Sequence, residues 1–101
     1  MFKTKKIKIG YQTYTLKRND KILSDMGILG RCHKNLQRIE YCGEFPVDTV
    51  KDTVIHEVLH AIWHNYLDQG EVDEETAVTM MAHGLTQVAR DNPKFFREWL
   101  G

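Results

Sequence analysis

Residues 46–66, "PVDTVKDTVIHEVLHAIWHNY", carry the change of period on which the fold turns. Val47, Val50, Val54, Leu59, Ile62, Trp63 and Tyr66 recur at spacings of three and four. Apolar residues at that period line one face of an amphipathic helix. Pro46 stands where a helix can start and Gly70 just past its end, which allows a helix of roughly 18 residues.

Upstream, the pattern alternates. In "KIKIGYQTYTLK" (6–17), Ile7 and Ile9 share a face, and Tyr14 and Leu16 resume it after Gly10. That reads as two short strands joined near the glycine. Residues 18–28 are polar and interrupted by Gly27, a loop or one helical turn. "LGRCHKNLQRIEYC" (29–42) offers a second hairpin turning near Lys34 and Asn35, with Ile39 and Tyr41 on one face and Arg38 and Glu40 on the other.

Downstream, an acidic turn leads into a second helix. Val78, Met81, Ala82, Leu85, Val88 and Ala89 form its apolar stripe, and Asn92-Pro93 ends it. The tail "PKFFREWLG" (93–101) forms a short third helix with Phe95, Phe96 and Trp99 as packing residues. The expected fold is α+β, a single domain over residues 1–101 with a small antiparallel sheet packed against two main helices.

Composition narrows the partners. Fourteen basic and fourteen acidic side chains cancel, so no global field favours nucleic acid or an anionic membrane. Lys3, Lys5, Lys6 and Lys8 sit on an alternating segment and read as a solvated strand edge. No apolar run approaches the ~20 residues that span a bilayer, and no apolar segment follows the charged N-terminus. Cys32 and Cys42 form no C-x-x-C pair and read as reduced thiols. The expectation is a cytoplasmic domain with neither nucleic acid nor membrane among its partners.

Within the helix, His56, Glu57 and His60 spell H-E-x-x-H. At 100° and 1.5 Å per residue, His56 and His60 lie about 40° apart around the axis and about 6 Å apart along it. Two imidazoles so placed can share a zinc ion, while Glu57 projects to one side as a general base. His64, about 12 Å from His56 along the same axis, is too distant to be a third ligand.

A zinc site of this kind needs one more protein ligand. Among Glu71, Asp73, Glu74 and Glu75, helical projection puts Glu74 about 20° from the centre of the apolar stripe. An acid on an apolar face is expensive to bury unless a metal compensates it. Glu74 is therefore the expected ligand and Glu75 the second choice.

These features together resemble the gluzincin metallopeptidases, and more narrowly the minimal ImmA/IrrE-type and phage-encoded relatives. "ILGRCHKNLQRIEY" (28–41) looks like that family's hairpin before the active helix, and "DTVIHEVLHAIWH" (52–64) looks like the helix itself. "DEETAVTMMAHGLTQVARDNP" (73–93) looks like its second helix. The resemblance implies a zincin-like domain that hydrolyses peptide or protein substrates, with zinc on His56, His60 and Glu74 and with Glu57 activating water. Tyr66, His64 and His83 are candidates for an oxyanion partner. The competing expectation is a non-catalytic module whose zinc is structural, closed by Cys32 or Cys42.

Overall fold

The computed structural model describes residues 2–67 and 70–101. The alternating segment forms β1 (Lys6–Ile9) and β2 (Gln12–Arg18), paired antiparallel with Ile7 opposite Tyr14. Gly10 turns the hairpin at φ 62°, the left-handed region that glycine adopts without strain. The second hairpin is β3 (Gly30–His33) and β4 (Arg38–Tyr41), also antiparallel, with Cys32 opposite Ile39.

Residues 18–28 hold more structure than a loop. They contain α1 (Asp20–Met26), closed by Gly27, whose N–H donates to the carbonyls of Leu23 and Ser24. Leu23 is fully buried and anchors the helix.

The two hairpins join through β2 and β4, which run parallel with Leu16 beside Ile39. The strand order is β1-β2-β4-β3, so the sheet is mixed where an antiparallel one was expected. Burial explains which strand goes inside. Ile39, Glu40 and Tyr41 of β4 are all buried, whereas every residue of β3 keeps partial exposure and suits an edge.

The two main helices are α2 (Val47–Tyr66) and α3 (Glu74–Asp91), followed by the short α4 (Pro93–Leu100). Val50, Val54, Val58, Ala61 and Ile62 of α2 pack on Ile7, Ile9, Tyr14, Leu16, Ile39 and Tyr41 of the sheet. Each fully buried aliphatic side chain contributes about 1.5–3 kcal/mol relative to exposure. Phe95 of α4 stacks on Phe2 at 5.5 Å, and Phe2 meets Tyr41 edge-on at 5.7 Å, which ties both ends of the chain to the core.

The open side of β1 is partly capped. Asn92 accepts from the Lys8 N–H at 2.8 Å and donates to the Lys8 carbonyl at 2.8 Å. Gln87 accepts from the Gly10 N–H at 2.7 Å. Side-chain amides thus stand where a further strand would add.

Helix α3 is turned from its expected orientation. Gly84 and Val88 are buried and Met81 partly so, while Val78 and Leu85 are exposed. The buried line is rotated by roughly 70° from the apolar stripe. The reason is Gly84, where α3 meets α2 so closely that an added Cβ would overlap Ile62. Among the described residues no helix is long and apolar enough to cross a membrane.

Candidate metal centre

Helix α2 runs unbroken from Val47 to Tyr66, so the spacing of its histidines becomes a spacing in space. The Nε2 atoms of His56 and His60 lie 3.2 Å apart, and the ring centroids are separated by 4.8 Å. Two nitrogens bound at ~2.05 Å to one tetrahedral zinc would be about 3.3 Å apart. The donor atoms of His56, Glu57 and His60 all fall within 4.8 Å of one another.

The three residues differ in surroundings. His56 and His60 are exposed, while Glu57 is buried. Burial pushes the Glu57 carboxyl above its ordinary value of 4.5, and the nearby His56 and His60 offset this only in part. A carboxylate whose proton affinity is raised by burial is a stronger base than an exposed one.

Strand β3 covers Glu57 because it begins with a glycine. A Cβ at Gly30 would stand 2.6 Å from Thr53 Cγ2 and 3.4 Å from Glu57 Cγ, so any side chain there would force the strand away. Cys32, two residues on, also lies near Glu57. Burial and then the Glu57 charge push its thiol up to about 12, so it stays protonated.

Two depressions flank His56. One, polar, is formed by Gly30, Asp52, Thr53 and Glu57 with Leu29. The other is apolar, formed by Leu59, Trp63 and Met81 beside both histidines. The period of α2 predicts Trp63 and Leu59 on its packed face. They are instead 40% and 37% exposed, and they wall the site. Gly30 was the available clue to close approach, and no periodicity count weighs it.

The remaining expected residues are not brought to the cluster. Glu74 and Glu75 are exposed in the first turn of α3, and neither belongs to the donor group. Met81, seven residues beyond Glu74, is the α3 residue beside the histidines. Seven residues of helix separate Glu74 from Met81 by about 10 Å along the axis. Asp73 caps α3, accepting from the Thr76 N–H at 2.7 Å.

His64 stays outside the donor group, in keeping with its distance along the helix. Of the oxyanion candidates, Tyr66 donates its hydroxyl to Gln87 at 3.3 Å, and His83 is exposed on α3. Neither they nor His64 line the two depressions. Comparison with known proteins gave no match: no family model fits the chain, and no curated protein or solved structure is significantly similar to it.

Proposed function

We propose that the chain is a zinc-dependent metallopeptidase, with His56 and His60 as ligands and Glu57 as general base. The observation that carries this reading is the 3.2 Å separation of the two Nε2 atoms, with the Glu57 carboxylate alongside. Zinc held there would supply Lewis-acid polarisation of a carbonyl oxygen and acidification of water.

The chain's own residues do the rest. Glu57 accepts a proton at its carboxylate from water in the polar depression and returns it to the departing amine. Its burial beneath Gly30 and Thr53 supports that role, because it raises the proton affinity. The apolar depression of Leu59, Trp63 and Met81 would receive an uncharged side chain of the peptide.

Glu74 enters as third ligand through helical projection and resemblance, with its carboxylate outside the cluster. That position favours keeping the second reading in view, a zinc-containing interaction module without catalysis. Cys32 does not belong to the donor group of His56, Glu57 and His60.

Elemental analysis of the purified protein beside His60→Ala, Glu74→Ala and His64→Ala tests the site. Near-stoichiometric zinc in the parent, lost in His60→Ala and kept in His64→Ala, is the expected result. Zinc kept in Glu74→Ala would remove that residue from the ligand set. No zinc in the parent after loading and removal of the excess would end the enzyme reading.

A further inference from the structure

The net charge of zero conceals a division. Residues 1–41, which form the sheet and α1, carry ten Lys and Arg against three Asp and Glu. Residues 42–101, which supply the other helices, carry four against eleven. The sheet turns its apolar face to the helices, so Lys6, Lys8, Lys17, Arg31 and Arg38 lie on the opposite face.

Register arranges them in rows. Lys6 stands beside Thr15, Thr15 beside Arg38, and Arg38 beside His33. Lys8 pairs with Thr13 in the next row, and Lys17 and Arg31 flank Glu40 in the third. Among the described residues Glu40 is the only carboxylate at an outward strand position, and it is fully buried under Arg31 and Asn19, so the open part of this face is its β1–β2 half. Among the described residues no carboxylate lies within ion-pair distance of the exposed Lys6, Lys8 or Lys17 ammonium groups. Lys3, Lys5 and Lys94 continue the positive surface around the β1 edge in a groove of about 610 Å³ that Asp91 also lines, with Glu98 held beside it by the Lys3 and Thr4 N–H groups.

We propose that this outward sheet face binds a single strand of nucleic acid through its phosphates. Rows of cations about 7 Å apart, two residues along a strand, match a polymer that bears a charge on every unit. Threonine hydroxyls between the lysines supply neutral donors to the same oxygens. A membrane is disfavoured because no apolar side chain at the outward strand positions could insert. Tyr11, 90% exposed on the β1–β2 turn, offers a ring on which a base can stack. The face lies across the sheet from α2 and is independent of the metal reading.

Fluorescence anisotropy with a labelled oligothymidylate of about 20 nucleotides tests the proposal at 50 mM and 200 mM salt. The parent should bind in the micromolar range and weaken as salt rises, with a slope of about −0.7 per phosphate contacted. Lys6→Glu/Lys17→Glu should lose at least tenfold in affinity and flatten the slope. The charge-matched control Arg90→Glu/Arg97→Glu, on the helices, should stay within about threefold. Circular dichroism verifies folding, and Lys8→Glu/Lys17→Glu serves if the first pair misfolds. No binding by the parent at 50 mM salt would overturn the proposal, and so would equal losses in the control. Binding to phosphatidylserine vesicles but not to the oligonucleotide would overturn it in favour of a membrane.

Discussion

Among the described residues two glutamates are taken out of water, and they are treated in opposite ways. Glu40 is fully buried in β4, yet Arg31 Nε donates to it at 2.6 Å and Asn19 Nδ2 at 2.5 Å. Burial alone would raise its pKa. The hydrogen bonds from Arg31 and Asn19 and the charges of Arg31 and Arg38 reverse that and hold the carboxyl below its ordinary value of 4.5. Glu57 is 7% exposed beneath Gly30, with two histidines beside it and no fixed cation, and its carboxyl is pushed up. A buried carboxylate with its charge answered stabilises the fold, and one left unanswered keeps its affinity for a proton. The second condition is the one a general base needs.

The largest expected effect breaks the comparison at the chemical end. Glu57→Gln should retain zinc and lose about 10²–10⁴-fold in peptide hydrolysis, the usual contribution of a positioned base. Undiminished turnover with zinc still bound would take Glu57 out of the mechanism.

Glu40→Ala strikes the other carboxylate. It should lower stability by about 2–4 kcal/mol, read as a shift in the urea midpoint, because Arg31 is left unpaired. Arg31 is 23% exposed, so part of that loss is recovered by solvation. A loss under 0.5 kcal/mol would show that solvent already does the work assigned to the pair.

Gly30→Ala probes how Glu57 comes to be covered. The new methyl would crowd Thr53, with an expected loss of about 1–3 kcal/mol and a displaced β3 edge. Unchanged stability and unchanged hydrolysis would mean that the close approach of the strand is immaterial.

Acid titration sharpens the contrast further. A carboxyl whose folded pKa is depressed adds stability that is fully present above its unfolded value and lost as pH falls through its folded one. For Glu40 the loss therefore begins as pH drops towards 4.5 and continues below it. Glu40→Gln should shrink that acid limb without abolishing it, since Asp20 and Glu98 are lowered in the same direction. An identical limb in both proteins would contradict the assignment. The smallest effect is on the stability of metal-free Glu57→Gln. It should stay within about 1 kcal/mol of the parent or rise slightly, because the substitution removes a buried charge that His56 and His60 answer only in part.

The two main helices show how far sequence alone could be followed. Helix α2 was legible because its evidence is local. Val50, Val54 and Ile62 are buried as the period required, and His56 and His60 converge because residues four apart must. Helix α3 turns a different face inwards than its apolar stripe predicts, since its tightest contact is made by Gly84, which an apolar count passes over. The projection of Glu74 rests on that stripe, which is not the buried face. Likewise the alternation of 38–41 marked β4 as a strand but could not say that it would lie parallel to β2.

What the sequence determined by itself was what covalent geometry transmits over a few residues: two hairpins, helices α2 to α4, and a histidine pair with a glutamate beside it. What only the tertiary structure decided was where separate elements come closest. Gly30 lets β3 cover Glu57, Gly84 sets the face α3 turns inwards, and Met81 rather than Glu74 ends up beside the histidines. Even the charge division needed the fold, because lysines that alternate along one strand become a surface only when neighbouring strands come into register. The physical reason is range: helical and strand periods act within one element, whereas approach between elements is set by the volumes that meet there.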